Sequence, residues 1–358
     1  MNTGKLKNID CCKCIALLLV LIYHYWTLSG SKPIPVAGID TIVMLGGEIG
    51  VTMFFVLSGF GIYFLLRRRD SVKWCSFILS RYRKVAPLYY LSILFVIVLT
   101  PSGAGYFSKS GFWDIVAHLL FVHNFAGRFH GSINGALWTM GVIFQYYLIA
   151  IILYQCMQKN KHITVLMSIA VTIIMKILIY KEILPEDGMM YFIYGRQLVT
   201  ALDNFVIGMY VGNFVYEENK KVSNIEGSIY CIVMMIFLLI WGKWGVTYGV
   251  YADHIRGYIW HSILAIILAG IIYIVALMRE TSWTDLLQWI GVNEYGIYLL
   301  HLPILQNLLQ APLLQQFNSQ GLSLIGCVCY LFIALVVGSF FNQLLDGQAI
   351  KKVIKKEV

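Results

Sequence analysis

The chain has 358 residues, of which 59% are hydrophobic and only 13% are charged, and its formal net charge is +9 at pH 7. Soluble globular domains carry about 25% charged residues, so the composition excludes the ordinary soluble classes and indicates an integral membrane protein. The positive charge lies beside apolar segments, where membrane topology and anionic lipid account for it, so it does not indicate a nucleic-acid partner.

Apolar segments long enough to cross a lipid bilayer, roughly 17 to 25 residues each, recur along the whole chain. We predict about ten transmembrane helices, at 11–29, 46–66, 85–101, 137–156, 163–182, 198–216, 225–242, 259–278, 291–310 and 323–343. The apolar segment 111–125 is too short to cross alone, and we predict that it is interfacial or re-entrant. Without a repeat or a linker, residues 1–358 form one all-α transmembrane domain.

Lysine and arginine residues accumulate on one side of these predicted spans. The N-terminal tail, the segment 67–84 and the C-terminal tail 351–356 are basic, whereas the loops on the other side carry fewer such residues. Because cytoplasmic loops hold the excess of positive charge, both termini are predicted to be cytoplasmic. Without organelle signals, the chain is expected in a bacterial plasma membrane.

Ionisable residues inside spans are costly at membrane depth and are therefore candidates for function. His24 lies in the first span, with Lys13 eleven residues before it. Eleven helical residues rise about 16 Å in three turns, so the two side chains share one helix face, with Lys13 at the inner membrane surface. Either this pair serves catalysis on a phosphate-bearing cytoplasmic donor, or Lys13 is a topology anchor and His24 a helix contact.

A second basic pair precedes the third span. Arg81 and Lys84 are three residues apart and share a helical face, where they could bind phosphate. The spacing fits equally well with a solvated charge run that includes 67–69.

Other ionisable residues are predicted to have lesser roles. Lys176 is expected to extend toward the outer surface, and His261 to contact lipid headgroups. The histidines of the outer loop lack the regular spacing of metal ligands, so no metal is predicted; they are His118, His123 and His130.

Six motifs follow one another along the chain. They are Asp-x-x-Lys with a later His at 10–24, Gly-Val-Thr-Met-Phe-Phe-Val-Leu-Ser-Gly-Phe at 50–60, Arg-Tyr-Arg-Lys-Val-Ala-Pro-Leu-Tyr at 81–89, Leu-Trp-Thr-Met at 137–140, Phe-Val-Ile-Gly-Met-Tyr-Val-Gly at 205–212 and Tyr-Gly-Ile-Tyr-Leu-Leu-His at 295–301. In this order they resemble the motifs of the membrane acyltransferase family 3, which contains surface-polysaccharide O-acetyltransferases. The match at 50–60 is the most specific.

The resemblance implies an enzyme that moves an acyl group, most often acetyl, from cytoplasmic acyl-coenzyme A to a hydroxyl of a cell-surface glycan or glycolipid. His24 would be the general base that activates this hydroxyl, or would carry the acyl group covalently. His301 would orient the substrate or stabilise the developing oxyanion. Lys13, Arg81 and Lys84 would bind the donor's phosphates.

Trp138 and Tyr147 would line the acceptor path, or would simply belong to the aromatic belt of the membrane interface. The chain departs from the family's pattern where Lys13 and Lys84 replace arginines, which removes bidentate phosphate geometry. It also has Ile143 where the family has a glutamate. Three carboxylates could substitute for that glutamate: Glu48, Asp203 and Glu294.

The missing glutamate favours an alternative, a non-enzymatic transporter or sensor for a lipid-linked sugar on the same fold. An acyl donor other than acetyl-coenzyme A, or an amine acceptor, is also compatible with the sequence. The oligomeric state is left open.

Overall fold

The computed structural model describes residues 7–30, 38–69, 72–99, 105–182, 192–218, 221–248, 254–281, 284–319 and 323–346. Regular structure in these ranges is helical, apart from one isolated bridge between Val222 and Met278. The helices are α1 (Lys7–Leu28), α2 (Ile39–Met44), α3 (Gly46–Arg67), α4 (Trp74–Leu99), α5 (Lys109–Leu119), α6 (Gly127–His130), α7 (Trp138–Lys159), α8 (Lys161–Glu182), α9 (Leu202–Glu217), α10 (Asn224–Tyr248), α11 (His254–Leu277), α12 (Asp285–Val292), α13 (Glu294–Gln310), α14 (Pro312–Ser319) and α15 (Ser323–Asp346).

Eight of the described helices are long and apolar enough to cross a membrane, namely α1, α3, α4, α7, α8, α10, α11 and α15. The all-α membrane class is therefore confirmed. The other two predicted spans coincide with α9 and α13, which have 16 and 17 residues. The count of ten and the cytoplasmic placement of both termini stay predictions, and the residues at both ends of the chain lie outside the described ranges.

Glycines bring α3 and α9 into close contact. Gly59 lies against the carbonyl of Phe205, and Gly208 lies against the carbonyl of Val56, with no space for a Cβ at either glycine. A Cβ on Gly212 would lie 3.0 Å from that of Tyr63. Small residues allow helix backbones to approach closely in membranes, as the sequence predicts for this segment. The contact fixes the beginning of α9 beside α3.

A second packing interface joins α1 to α13 and α15. Leu17 and Leu21 of α1 pack with Tyr298 of α13 in one buried apolar cluster. The backbones of α13 and α15 meet at Gly296 and Gly338. This packing sets the histidine of α1 opposite the histidine of α13.

The predicted interfacial segment 111–125 consists of most of α5 and a 3-10 turn at His123–Phe125. Its connecting residues pack on the bundle, because Gln145 of α7 donates a hydrogen bond to the carbonyl of Phe121 at 3.0 Å. Tyr90 of α4 donates one to the carbonyl of Leu119 at 2.7 Å. The interfacial position itself stays a prediction.

Candidate functional site

His24 and His301 face each other where α1 packs against α13, with ring centroids 5.2 Å apart. His301 is fully buried, and its Nδ1 lies 2.5 Å from the carbonyl oxygen of Tyr298. A carbonyl only accepts hydrogen bonds, so Nδ1 carries the hydrogen and Nε2 carries the lone pair of the neutral ring. Within the described ranges Nε2 has no partner. The site therefore offers a free basic nitrogen beside His24.

Tyr298 connects the histidine pair to α7. Its ring centroid lies 5.2 Å from that of His301, and its hydroxyl lies 2.9 Å from the hydroxyl of Thr139. Thr139 follows Trp138 directly in the first turn of α7. Trp138, which the sequence predicts on the acceptor path, therefore directly precedes the residue that hydrogen-bonds to Tyr298 beside the histidine pair.

A polar cluster surrounds Lys13 toward the beginning of α1. The Lys13 ammonium lies 3.0 Å from Oδ1 of Asp10 and 4.0 Å from Oε1 of Glu294. Glu294 begins α13, the helix that carries His301 two turns later. Helices α1 and α13 therefore contact each other at two levels. One level pairs Lys13 with Glu294, and the other pairs His24 with His301.

The other predicted donor residues join this cluster. Tyr147 interacts electrostatically with Arg81, Glu294 and Lys13. Glu294 also interacts electrostatically with Lys84. The structure thus brings together Lys13, Arg81 and Lys84, and it adds Tyr147, which the sequence analysis assigned to the acceptor path. Tyr147 lies nine residues from Trp138 along α7, a rise of about 13 Å.

Ile143 occupies the position of the family's glutamate. It is partly buried and packs against the apolar clusters around α7. Tyr147 lies one helical turn further on the same face. Of the three carboxylates that could substitute, Glu294 is the one that interacts with Tyr147.

Trp138 borders a cavity of approximately 360 Å³, including its opening, on the side of α3 that carries Glu48. The ring of His130 stacks on the indole at a centroid distance of 5.5 Å, and the guanidinium of Arg196 lies 5.9 Å from the indole centroid. Glu48 and Arg196 both line this cavity and form an ion pair.

A buried polar network extends from this ion pair. His261 lies 3.0 Å from Glu48 through Nε2, and Lys176 lies 3.4 Å from Nδ1 of the same ring. Lys176 also interacts electrostatically with Asp203, whose carboxylate accepts hydrogen bonds from the hydroxyl of Ser262 and the backbone N–H of Asn204. Helices α3, α8 and α9 contribute Glu48, Lys176 and Asp203, and α11 contributes both His261 and Ser262.

This network corrects two predictions. Lys176 was expected to extend to the outer surface, but it is only 1% exposed. His261 was expected to contact headgroups, but it is 9% exposed and bonded to Glu48. Both expectations were wrong because carboxylates from other helices lie beside these side chains inside the bundle. Opposite charges in several predicted spans were the sequence signal that could have indicated the network.

Three histidines of the segment before α7 are buried. The rings of His118 and His123 stack with centroids 4.0 Å apart. Desolvation by burial lowers the pKa of His118 and of His130 to about 4, and lowers the pKa of His123 well below its usual value. All three are therefore neutral at pH 7. Among the described residues no cluster of three or more His, Cys, Asp and Glu side chains could hold a metal ion, and metal independence stays a prediction.

Residues 6–342 match the family model described as an acyltransferase domain, that of the acyltransferase 3 family. The chain is 24% identical over 339 residues to the peptidoglycan O-acetyltransferase OatA of Listeria monocytogenes, a match that covers 86% of this chain and 50% of the relative. It is 25% identical over 268 residues to an O-acetyl transferase of Shigella phage Sf6, covering 67% of this chain and 71% of that relative. The chain thus spans half the length of the Listeria relative. No solved structure matches it.

Proposed function

The chain belongs to the acyltransferase 3 family, and from this membership we propose that it moves an acetyl group from cytoplasmic acetyl-coenzyme A to a hydroxyl of a cell-surface glycan. The observation that carries the proposal is the contact between the rings of His24 and His301, with a lone pair free on Nε2 of His301. Both relatives are named O-acetyl transferases, and peptidoglycan, in the name of one, is the first acceptor to test.

The chemistry requires a base, because an alcohol is a weak nucleophile at neutral pH. His24 is less deeply buried than His301, so it is the imidazole that a substrate can reach. We assign to His24 the removal of the proton from the acceptor hydroxyl as the new C–O bond forms and the C–S bond of the thioester breaks. Such general-base catalysis contributes a factor of about 10² to 10⁴ in rate. The coenzyme thiolate leaves and takes up this proton from His24, which returns to its neutral form.

His301 acts beside it as an orienting group. Because its Nδ1 hydrogen is held by the carbonyl of Tyr298, Nε2 accepts rather than donates a hydrogen bond. This supports orientation of the acceptor through a second group that donates a hydrogen bond, over stabilisation of an oxyanion, which needs a donor.

The donor's phosphates would bind at the cluster of Lys13, Arg81 and Lys84. Lys13 and Lys84 interact electrostatically with Glu294, and Arg81 interacts with Tyr147, which itself interacts with Lys13 and Glu294. The rise of about 16 Å between Lys13 and His24 matches a donor whose phosphates and thioester are separated by a long flexible arm. Positive charge on this side agrees with a cytoplasmic orientation in a bacterial plasma membrane.

The test is transfer of radiolabel from acetyl-coenzyme A into the cell-envelope glycan fraction. Membranes carrying the native chain, His24→Ala or His301→Ala are compared at equal protein abundance. His162→Ala is the matched control, because His162 is exposed on α8 and bonds only to Tyr210 among the side chains described. We expect the two site variants to lose label by at least about 10²-fold and the control to keep it.

The apolar surroundings of Ile143 favour a second candidate, a transporter or sensor for a lipid-linked sugar. In that case the native chain transfers no label from acetyl or succinyl donors, and His24→Ala leaves its phenotype intact. The same experiment therefore separates the two functions.

A further inference from the structure

The Glu48 cavity is a polar feature to which the proposed acyl-transfer chemistry assigns no role. Its lining includes Glu48, Arg196, Asn204 and Trp138. Its space of approximately 360 Å³ counts the solvent at its opening, so the enclosed part is small. A ligand of several rings therefore does not fit inside it.

The charges around the cavity compensate one another. An ammonium only donates hydrogen bonds, so Nδ1 of His261 accepts from Lys176 and Nε2 donates to Glu48, which leaves this ring neutral. Arg196 is paired with Glu48, and Lys176 faces Asp203. A site for phosphate or carboxylate would present an uncompensated cation, so this cavity favours an uncharged ligand.

Two further observations indicate what kind of uncharged ligand fits. Asn204 is 3% exposed and lines the cavity, and its Oδ1 has no hydrogen-bond partner within the part of the chain that the structure describes. Buried polar atoms are normally paired, so this oxygen lacks a donor that a ligand can supply. Trp138 and Phe55 add an aromatic wall. Hydroxyl donors around an apolar ring face meet both requirements.

The cavity adjoins the histidine pair. Gly47 lines it and lies directly against the ring of Tyr23, whose centroid is 5.2 Å from that of His24. On the other side, Trp138 precedes Thr139, which bonds to Tyr298 beside His301. Tyr23 therefore lies between the cavity and His24, and Thr139 and Tyr298 lie between the cavity wall and His301.

We propose that the Glu48 cavity binds one uncharged sugar ring of the acceptor, with Asn204 accepting a hydrogen bond from a sugar hydroxyl, Glu48 and Arg196 forming a neutral polar wall, and Trp138 covering an apolar face. The proposal rests on the proposed function, since it assigns the acceptor's position relative to His24. It also explains why Arg196 is held by Glu48 instead of being free to attract anions.

The experiment is ligand-observed saturation-transfer NMR on the full chain in nanodiscs, without an acyl donor. The probes are methyl β-glucoside and methyl β-glucuronide, which differ only in carrying a hydroxymethyl group or a carboxylate. We expect the glucoside to bind and the glucuronide to bind at least about tenfold more weakly. Asn204→Ala should weaken glucoside binding by about 3- to 10-fold, which is the effect of losing one hydrogen bond.

Two more variants complete the test. Glu48→Gln leaves Arg196 uncompensated and should shift the preference toward the glucuronide. Asn213→Ala is the matched control, because Asn213 is a buried asparagine on the same helix, bonded to Tyr63 and Glu217 away from the cavity. It should leave glucoside binding unchanged.

Equal binding of both probes, no binding of either, or an Asn204→Ala variant that binds like the native chain would overturn the proposal. The binding experiment needs no acyl donor. Glucoside binding without acetyl transfer would therefore refute the proposed acetyltransferase function but support the sugar site. Acetyl transfer without Asn204-dependent binding would refute the sugar site alone.

Discussion

Lys13 of α1 lies 4.0 Å from a carboxylate oxygen of Glu294, the first residue of α13. The same two helices carry His24 and His301, whose rings meet 5.2 Å apart. One helix pair thus holds a charged contact at one level and an imidazole contact at another. The two levels can be perturbed separately.

Replacing Glu294 by Gln should strengthen donor binding. The change removes a negative charge from among Lys13, Lys84 and Tyr147, so the KM for acetyl-coenzyme A should fall by about 3- to 10-fold at low salt. Steady-state kinetics at two salt concentrations measure this effect. A lower kcat at unchanged KM would instead assign Glu294 the role of the glutamate that Ile143 replaces.

Replacing Lys13 by Ala should raise the KM for acetyl-coenzyme A by about tenfold or more, because a charge-assisted contact to phosphate is lost. Lys13→Arg should retain donor binding, since arginine keeps the charge and adds bidentate geometry. Lys7→Ala serves as the control, because Lys7 is exposed and pairs only with Glu280 at 3.6 Å among the ion pairs described. An equal rise in KM for Lys7→Ala would show a general charge effect.

Two glycine variants on α3 should behave in opposite ways. Gly59→Ala places a methyl group against the carbonyl of Phe205, so α3 and α9 must separate, at a cost of about 1–3 kcal/mol. Gly61→Ala adds its methyl group to open space and should be neutral or slightly stabilising. Thermal unfolding midpoints in one detergent compare the two variants. Similar midpoints would mean that the glycine contact does not hold the two helices.

Stability should fall as the pH drops below about 6.5, the ordinary pKa of histidine. His118, His123 and His130 have lowered pKa values in the folded chain, so the unfolded chain binds protons first. By linkage, the three neutral histidines contribute fully to the free energy of unfolding above pH 6.5, and this contribution is lost progressively toward pH 4. Unfolding midpoints between pH 7.5 and 5 test this, and His118→Gln should reduce the slope. Midpoints that do not change with pH would contradict the burial of neutral imidazoles.

Helical geometry explains what could be predicted from the sequence. The common face of Lys13 and His24, the helical pair Arg81 and Lys84, and the small residues of α9 depend on spacing along one helix. The structure confirms the close packing at Gly208 and brings the three basic residues together. Their roles in binding stay proposals.

The network around Glu48 could not be predicted in this way. Glu48, Lys176 and His261 come from α3, α8 and α11, and no spacing along one helix relates them. Their meeting depends on how distant helices pack. The same holds for Tyr147, which shares a helix with Trp138 but joins a different set of partners through α4 and α13.

The three helical turns between Lys13 and His24 have one more consequence. In the proposed function the donor's phosphates bind at Lys13 and its reacting carbon lies at His24. The length of α1 between these residues then sets the length of donor that fits. Under the proposed function we expect donor selection to depend on the length of the carrier arm, so a small activated acetyl compound should not react even when its leaving group is reactive. The acyl group itself, being at the tip of the arm, is left comparatively free to vary.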